Sequence, residues 1–366
     1  MKQLIKKLTA KLGYQTDKKL ILILSDDWGS LRIRSAKDQK QLVAKGLKIN
    51  NRFNQFDTLE TNTDMEKLFE VLLKHKDHKG NHPTITAVTN VANPDFKSIQ
   101  EDNFQNYYHE SIEQTYQRYP DSDKVLEMVK QGIHQNIFVP QSHGREHLQL
   151  NWWMQELQDE NSFARKAFEN EFFFLGAGYL NNPKRGRGVG AAFDVRDKKD
   201  LESHKEIISS GLTIFKNLYG YRSKIFTPPA IFYNPAIEAT LFNEGIDWLD
   251  VGRFFKFPLV GGGERYQYNY LGRKKKSGLK VLVRNTVFET NMSQNDNGVA
   301  RCMWDIEQAF IAKQPAFISN HRASFVGGID TANRNKGLTA LDKLLTQITT
   351  KWGDVEFISA KELSKL

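Results

Sequence analysis

Lys19-Leu20-Ile21-Leu22-Ile23-Leu24-Ser25-Asp26-Asp27-Trp28-Gly29-Ser30 runs five apolar residues straight into two adjacent carboxylates and a glycine turn. An unbroken apolar run this short suits a strand buried on both faces of a parallel sheet better than an alternating, half-wet one. The aspartates then fall where the strand ends, at the rim where α/β folds place their chemistry. Adjacent strand positions point to opposite faces, so a bend here would give Asp26 and Asp27 different jobs. Asp and Gly are also ordinary turn residues, and a doublet alone is a weak motif. The functional reading gains its weight from metal-ligand and acid–base residues at later strand ends.

Outward from this strand, the periodicity predicts helices over 64–76, 122–134, 199–218, 235–243, 303–312 and 338–349. Strands are expected at 84–89, 137–139, 172–175, 224–229, 246–252, 316–319 and 355–358. Residues 95–119 read as a loop-rich excursion, and 266–270 with 279–288 as a hairpin inserted at the rim, about 260–288. Trp152-Trp153 fits either the core or the site. Lys184-Arg185-Gly186-Arg187-Gly188 lacks the Lys-Ser/Thr of a phosphate loop and its strand–loop–helix order, so 176–190 reads as a mobile loop. Strands alternating with helices argue a parallel sheet, and this many in series favours a closed or nearly closed barrel.

The 366 residues are enough for one barrel-sized domain or two smaller ones. Fifty-two Lys and Arg against 43 Asp and Glu give a formal charge of +9, which favours anionic partners. The densest basic run, Arg273-Lys274-Lys275-Lys276, reads as a solvated hairpin tip and belongs to no nucleic-acid-binding motif. The single cysteine, Cys302, excludes an internal disulfide and a Cys-based zinc site. No stretch approaches the roughly 20 apolar residues that span a bilayer. Residues 1–14 are expected to form an amphipathic helix, with Leu4, Ile5, Leu8 and Leu12 on one face. Such a helix could touch an anionic membrane, although it more commonly packs on its own domain. Without a secretion signal the chain reads as cytoplasmic.

His143 and His147 stand four positions apart directly after a predicted strand. If the chain turns helically there, both imidazoles share one face and can chelate a divalent metal together with an Asp oxygen. Three protein ligands with open positions for water are what a hydrolytic metal requires. Two surface histidines would be the bland alternative, weakened by Asp26-Asp27 and His321 at other strand ends of the same rim.

This pattern resembles the polysaccharide deacetylase family, the NodB-homology or carbohydrate esterase 4 type. Ser25-Asp26-Asp27-Trp28-Gly29 matches its Asp-Asp-Gly motif with a Trp inserted. His143-Gly144-Arg145-Glu146-His147 keeps its His-Ser/Thr-x-x-His spacing with Gly for the hydroxyl residue. Phe226-Thr227-Pro228-Pro229-Ala230 keeps only the prolines of its Arg-x-Pro motif. Asp247-Trp248-Leu249-Asp250 and Phe317-Ile318-Ser319-Asn320-His321 follow in the family's order. The resemblance covers roughly residues 20–325.

What the resemblance implies is an irregular (β/α)7 barrel over 15–366 and metal-dependent removal of an acyl group from a sugar. It assigns Asp27, His143 and His147 to the metal, Zn or else Co or Ni. Asp26 becomes the base and His321 the acid. The family's Arg orients the base carboxylate and Thr227 cannot, so Arg32, Arg34 or Arg253 is expected to supply that charge. Asp247 or Asp250 is expected to position His321, and Trp28 to support the site. The expected substrate is a glycan or a nucleotide- or lipid-linked sugar precursor. Two other readings stay open: a glycosidase using Asp26 and Asp250, and a non-catalytic carbohydrate-binding barrel.

Overall fold

A computed structural model describes residues 13–181, 187–292 and 298–363. The N-terminal amphipathic segment lies outside these except for Gly13 and Tyr14, which are not helical. In chain order the strands are β1 (Lys19–Trp28), β2 (Ile85–Thr89), β3 (Ala92–Pro94), β4 (His109–Ser111), β5 (Phe138–Ser142) and β6 (Ile225–Phe226). There follow β7 (Trp248–Asp250), β8 (Phe254–Pro258), β9 (Glu264–Tyr268), β10 (Lys280–Leu282), β11 (Thr286–Val287), β12 (Ala316–His321) and β13 (Val355–Phe357). Nine of them make one sheet in the order β10-β7-β6-β5-β2-β1-β12-β11, with β13 also on β1. Every pairing in this sheet is parallel. It curls into an irregular (β/α)7-type barrel whose two ends, β10 and β11, are not paired to each other.

β1 is the central stave, and its apolar run explains why. Leu20, Leu22 and Leu24 pack with Val88, Ile225, Trp248, Leu282 and Phe317 inside the curl. Ile21 and Ile23 point the other way into the larger core beneath the helices. Burying each such side chain is worth about 1.5–3 kcal/mol, so both faces of this strand favour a central place. Ile21 pairs with Ala316 of β12 on one side and Phe357 of β13 on the other.

The helices follow the predicted pattern with shifted ends. Asn62–Leu73 starts at a Thr61 capping box closed by Asp64. Lys198–Tyr219 runs from an Asp197 cap to Gly220 at φ +77°. Thr331–Lys351 begins two turns before the apolar stripe does. Its early turns pack through small residues instead: a Cβ on Gly337 would stand 1.7 Å from the Ser324 carbonyl oxygen.

Four expectations are corrected. Phe172-Phe173-Phe174-Leu175 is not a strand; it is apolar because it is buried, with Phe173 against Phe96 and Trp153 and Phe174 against His147. The rim hairpin is β8–β9, at Phe254–Tyr268, whereas β10 and β11 are staves of the barrel itself. Residues 95–119 carry β4, which pairs with β3 just ahead of them, and two short helices, Phe96–Glu101 and Ile112–Arg118. The basic run is also not wholly solvated, since Lys275 is buried against Glu238 at 2.7 Å.

Candidate metal centre

The pairing of β1 with β2 slips at the aspartates. Ser25 faces Ala87 and Trp28 faces Thr89, so Asp26 and Asp27 together oppose one residue of β2. Such a bulge bends the strand and re-aims its side chains. Asp27 takes φ +75°, a conformation costing a non-glycine residue about 1–3 kcal/mol. Gly29 follows at φ +77°, where a Cβ would meet the Asn90 carbonyl oxygen at 2.5 Å. The bend sends the two buried carboxylates to different partners.

Asp27 faces the histidines. Its Oδ1 lies 3.4 Å from His143 Nε2 and 3.5 Å from His147 Nε2. The three side chains can place one ligand atom each within 4.8 Å of one another. The expected helical turn is absent: the chain leaves β5 as an irregular loop, with Gly144 at φ +89°. A hydroxyl residue in that left-handed conformation would be strained and would crowd Phe193 at 3.2 Å. The loop is held by Val91 and Ala92 N–H groups donating to the Arg145 carbonyl, and by the Asn90 amide donating to the His143 carbonyl.

The donor set suits a divalent ion. His143 Nδ1–H donates to the Thr227 carbonyl at 2.7 Å, which fixes the tautomer and leaves the Nε2 lone pair free. Burial, opposed by Asp27, pushes the His147 imidazole down to about 3, so it is neutral as a ligand must be. Burial tends to raise the Asp27 carboxyl, but the two imidazoles facing it, His143 and then His147, hold it well below the usual range.

Asp26 turns to the other side. Arg284, between β10 and β11, grips it at 2.8 and 2.7 Å and grips Asp250 of β7 at 2.8 and 2.6 Å. Burial alone would raise the Asp26 carboxyl; Arg284 and then His321 outweigh it and hold it below its ordinary value. Asp250 is raised by burial despite the same guanidinium. The Thr227 hydroxyl donates to Asp250 at 3.0 Å. Thr227 thus serves both halves of the site, its carbonyl on His143 and its hydroxyl on Asp250.

His321 ends β12 in register with Asp26, its Nε2 3.8 Å from Asp26 Oδ2. Its Nδ1–H donates to Glu289 at 2.6 Å, and Arg52 and Ser324 in turn hold Glu289. Burial tends to lower the imidazole, but Glu289 and then Asp26 raise it above the ordinary histidine value. Behind it, Arg322 is wholly buried between Asp57 and Glu60.

The supporting residues expected from sequence are mostly elsewhere. The charge on Asp26 comes from Arg284; Arg34 pairs with Asp38, and Arg253 sits before β8, its carbonyl accepting from Asn269. Arg32 lies 4.0 Å from Asp27 rather than on Asp26. The partner of His321 is Glu289; Asp250 belongs to Arg284, and the half-exposed Asp247 pairs with Lys224 at the start of β7. Trp28 is core, edge-on to Phe138 at 4.9 Å. Arg284 was missed because 279–288 read as a hairpin; its signal was an arginine directly after the short apolar run Val281-Leu282-Val283. Trp152 and Trp153 are both core.

Beside His147 opens a cavity of about 600 Å³, walled by Phe53, Phe174, Tyr179 and the described part of the glycine-rich loop.

No protein-family model and no curated protein sequence matches the chain. Among solved structures it is similar to a glycoside hydrolase/deacetylase from Parabacteroides distasonis, at 9% identity and a TM-score of 0.52. That match covers 96% of this chain and 72% of the other. A polysaccharide deacetylase from Mycobacterium smegmatis matches at 9% identity and a TM-score of 0.47, over 97% of this chain and 92% of the other. A 4-alpha-glucanotransferase from Thermococcus litoralis matches at 10% identity and 0.48, over 95% of this chain but 40% of its own length. The curled parallel sheet and this structural likeness together give the chain the irregular (β/α)7-type barrel fold that it shares with the Parabacteroides distasonis protein.

Proposed function

We propose that the protein is a metal-dependent carbohydrate deacylase, removing an acyl group, N-acetyl foremost, from a sugar. The observation that supports it most is the division of the Asp26-Asp27 bulge between two chemistries. Asp27 faces two imidazoles whose Nε2 atoms are 3.4 and 3.5 Å away, while Asp26 is held ionised by Arg284. Asp27, His143 and His147 would hold the ion, and mixed N/O donors suit Zn, with Co or Ni as alternatives. When bound, the metal would supply Lewis acidity toward the acyl oxygen and toward water.

The chain's own residues do the proton work. Asp26 is buried, oriented by two hydrogen bonds and deprotonated, so it can accept the proton of an attacking water. Glu289 holds His321 Nδ1–H and, with Asp26, raises the imidazole above its ordinary value, which favours the protonated form. The His321 Nε2–H then donates to the departing amine. The glycosidase alternative is disfavoured, because Asp26 and Asp250 share one guanidinium and Asp250 is 1% exposed, leaving no groove between them.

The test is acetate release from N-acetylated sugars by Zn-, Co- or Ni-loaded protein, with and without a chelator. Release that stops on chelation and returns with metal supports the reading. Chelator-insensitive release, or cleavage of glycosidic bonds in place of acyl bonds, overturns it.

A further inference from the structure

We infer that the cavity beside His147 is an anion subsite, taking a phosphate or carboxylate group of the substrate through Arg32, Lys48 and Arg187. The inference rests on the deacylase reading only for what lies next door, since His147 belongs both to the proposed metal triad and to the cavity wall.

The lining carries three cationic side chains, and none of its described residues is a carboxylate. A concave, partly desolvated wall of one charge sign concentrates ligands of the other. Neutral sugar sites draw on carboxylates as their strongest acceptors for hydroxyls, and this wall has Asn50, Asn51 and Asn54 but no described carboxylate. Its size is that of an ordinary small-molecule site.

Arg32 is the sharper clue. Its guanidinium lies 3.8 Å over the Phe174 ring and 4.8 Å from that of Phe53, with the side chain 12% exposed. The nearest carboxylate oxygens, on Asp57 and Asp27, are 3.6 and 4.0 Å away, beyond hydrogen-bond distance. Its Nε is buried with no hydrogen-bond partner among the described residues. Buried polar groups seldom stay unpaired, and a guanidinium offers a planar fork of donors matched to phosphate or carboxylate. Rings on its faces fix that fork without using its N–H groups. Lys48 is exposed on the same lining, and Arg187 stacks at 3.9 Å on Phe232.

The experiment is calorimetric titration of metal-loaded protein with three probes: N-acetylglucosamine 1-phosphate, N-acetylmuramic acid and neutral N-acetylglucosamine. At least one anionic probe should bind about tenfold more tightly than the neutral sugar, the equivalent of one charge-assisted hydrogen bond. The preferred probe distinguishes phosphate from carboxylate, and the preference should shrink as salt rises. Lys48→Met and Arg187→Met should each weaken the anionic probe several-fold and leave the neutral sugar unchanged. Equal affinities, no measurable binding of either anionic probe, or a preference that survives the double variant would each overturn the subsite. Binding needs no turnover, so a protein that prefers the anion but never releases acetate refutes the deacylase reading alone. One that releases acetate without the preference refutes the subsite alone.

Discussion

Replacing Arg284 by Met should disable the proposed base without disturbing the metal ligands. Arg284 neutralises two carboxylates at once, Asp26 at 4% exposure and Asp250 at 1%. Removing one partner from a buried ion pair costs about 3–5 kcal/mol, because the charge left behind is neither hydrated nor paired. Burial is the largest influence on Asp26 and pushes its carboxyl upward; Arg284 foremost, then His321 and His143, reverse the sign. Without the guanidinium, burial prevails and Asp26 protonates more readily. The acid limb of kcat/KM should therefore move to higher pH, each unit corresponding to about 1.4 kcal/mol of lost differential stabilisation. Stability should move the opposite way. In the wild type, Asp26 has a depressed folded value, so its contribution is present above the unfolded value and is lost as pH falls through the folded one. In the variant, acid protonates both stranded carboxylates, so the destabilisation should narrow as pH falls. The assay pairs a pH–rate profile with urea unfolding at several pH values and metal content by mass spectrometry. Arg284→Lys should fall between, since one ammonium cannot hold two carboxylates with a planar fork. An unmoved acid limb, or metal lost along with activity, would refute the reasoning.

His143→Ala should drop bound Zn from near one per chain to little, because it deletes one of three ligands; equal metal in both proteins would sink the ligand assignment. Asp26→Asn should keep the metal and lose about 10²–10⁴-fold in rate, the usual worth of an acid–base group, whereas metal release would mean the two aspartates are exchanged. Glu289→Gln should lower the His321 imidazole toward its ordinary value and bring the basic limb of the rate profile to lower pH. The same change should remove a stabilisation that is present below the unfolded histidine value and lost as pH rises through the raised folded one, readable as a flattened stability–pH curve.

Much of this site was legible because its residues end strands with strong local signatures. The apolar run 20–24 announced Asp26 and Asp27, and Ala316-Phe317-Ile318 announced His321. The spacing of His143 and His147 was informative although its assumed cause was wrong: an irregular loop with a glycine at positive φ brings the rings together, not a helical turn. Arg284, Glu289 and Arg52 were not legible, because their strands are two or three residues long or absent. Arg52 meets Glu289 across 237 positions of sequence, where no periodicity operates. The glycine-rich loop was set aside for want of a phosphate-loop signature, yet Gly176, Gly178, Gly188 and Gly190 line the cavity. A motif describes one way of wrapping a ligand, and its absence leaves other ways open.

Thr227 shows how a departure from a family pattern can be misread. Thr where an arginine is expected suggested a base without its orienting charge. The charge is present, but it enters from the β10–β11 turn and reaches Asp26 by passing Asp250. Thr227 is wholly buried, and both of its oxygens are engaged, one by His143 and one toward Asp250. An arginine at that position would keep the carbonyl that fixes the His143 tautomer but lose the hydroxyl bond to Asp250, and would bring a second guanidinium toward a carboxylate that Arg284 already holds. The Thr that looked like a lost function instead holds Asp250, the second carboxylate on the guanidinium that supplies the charge.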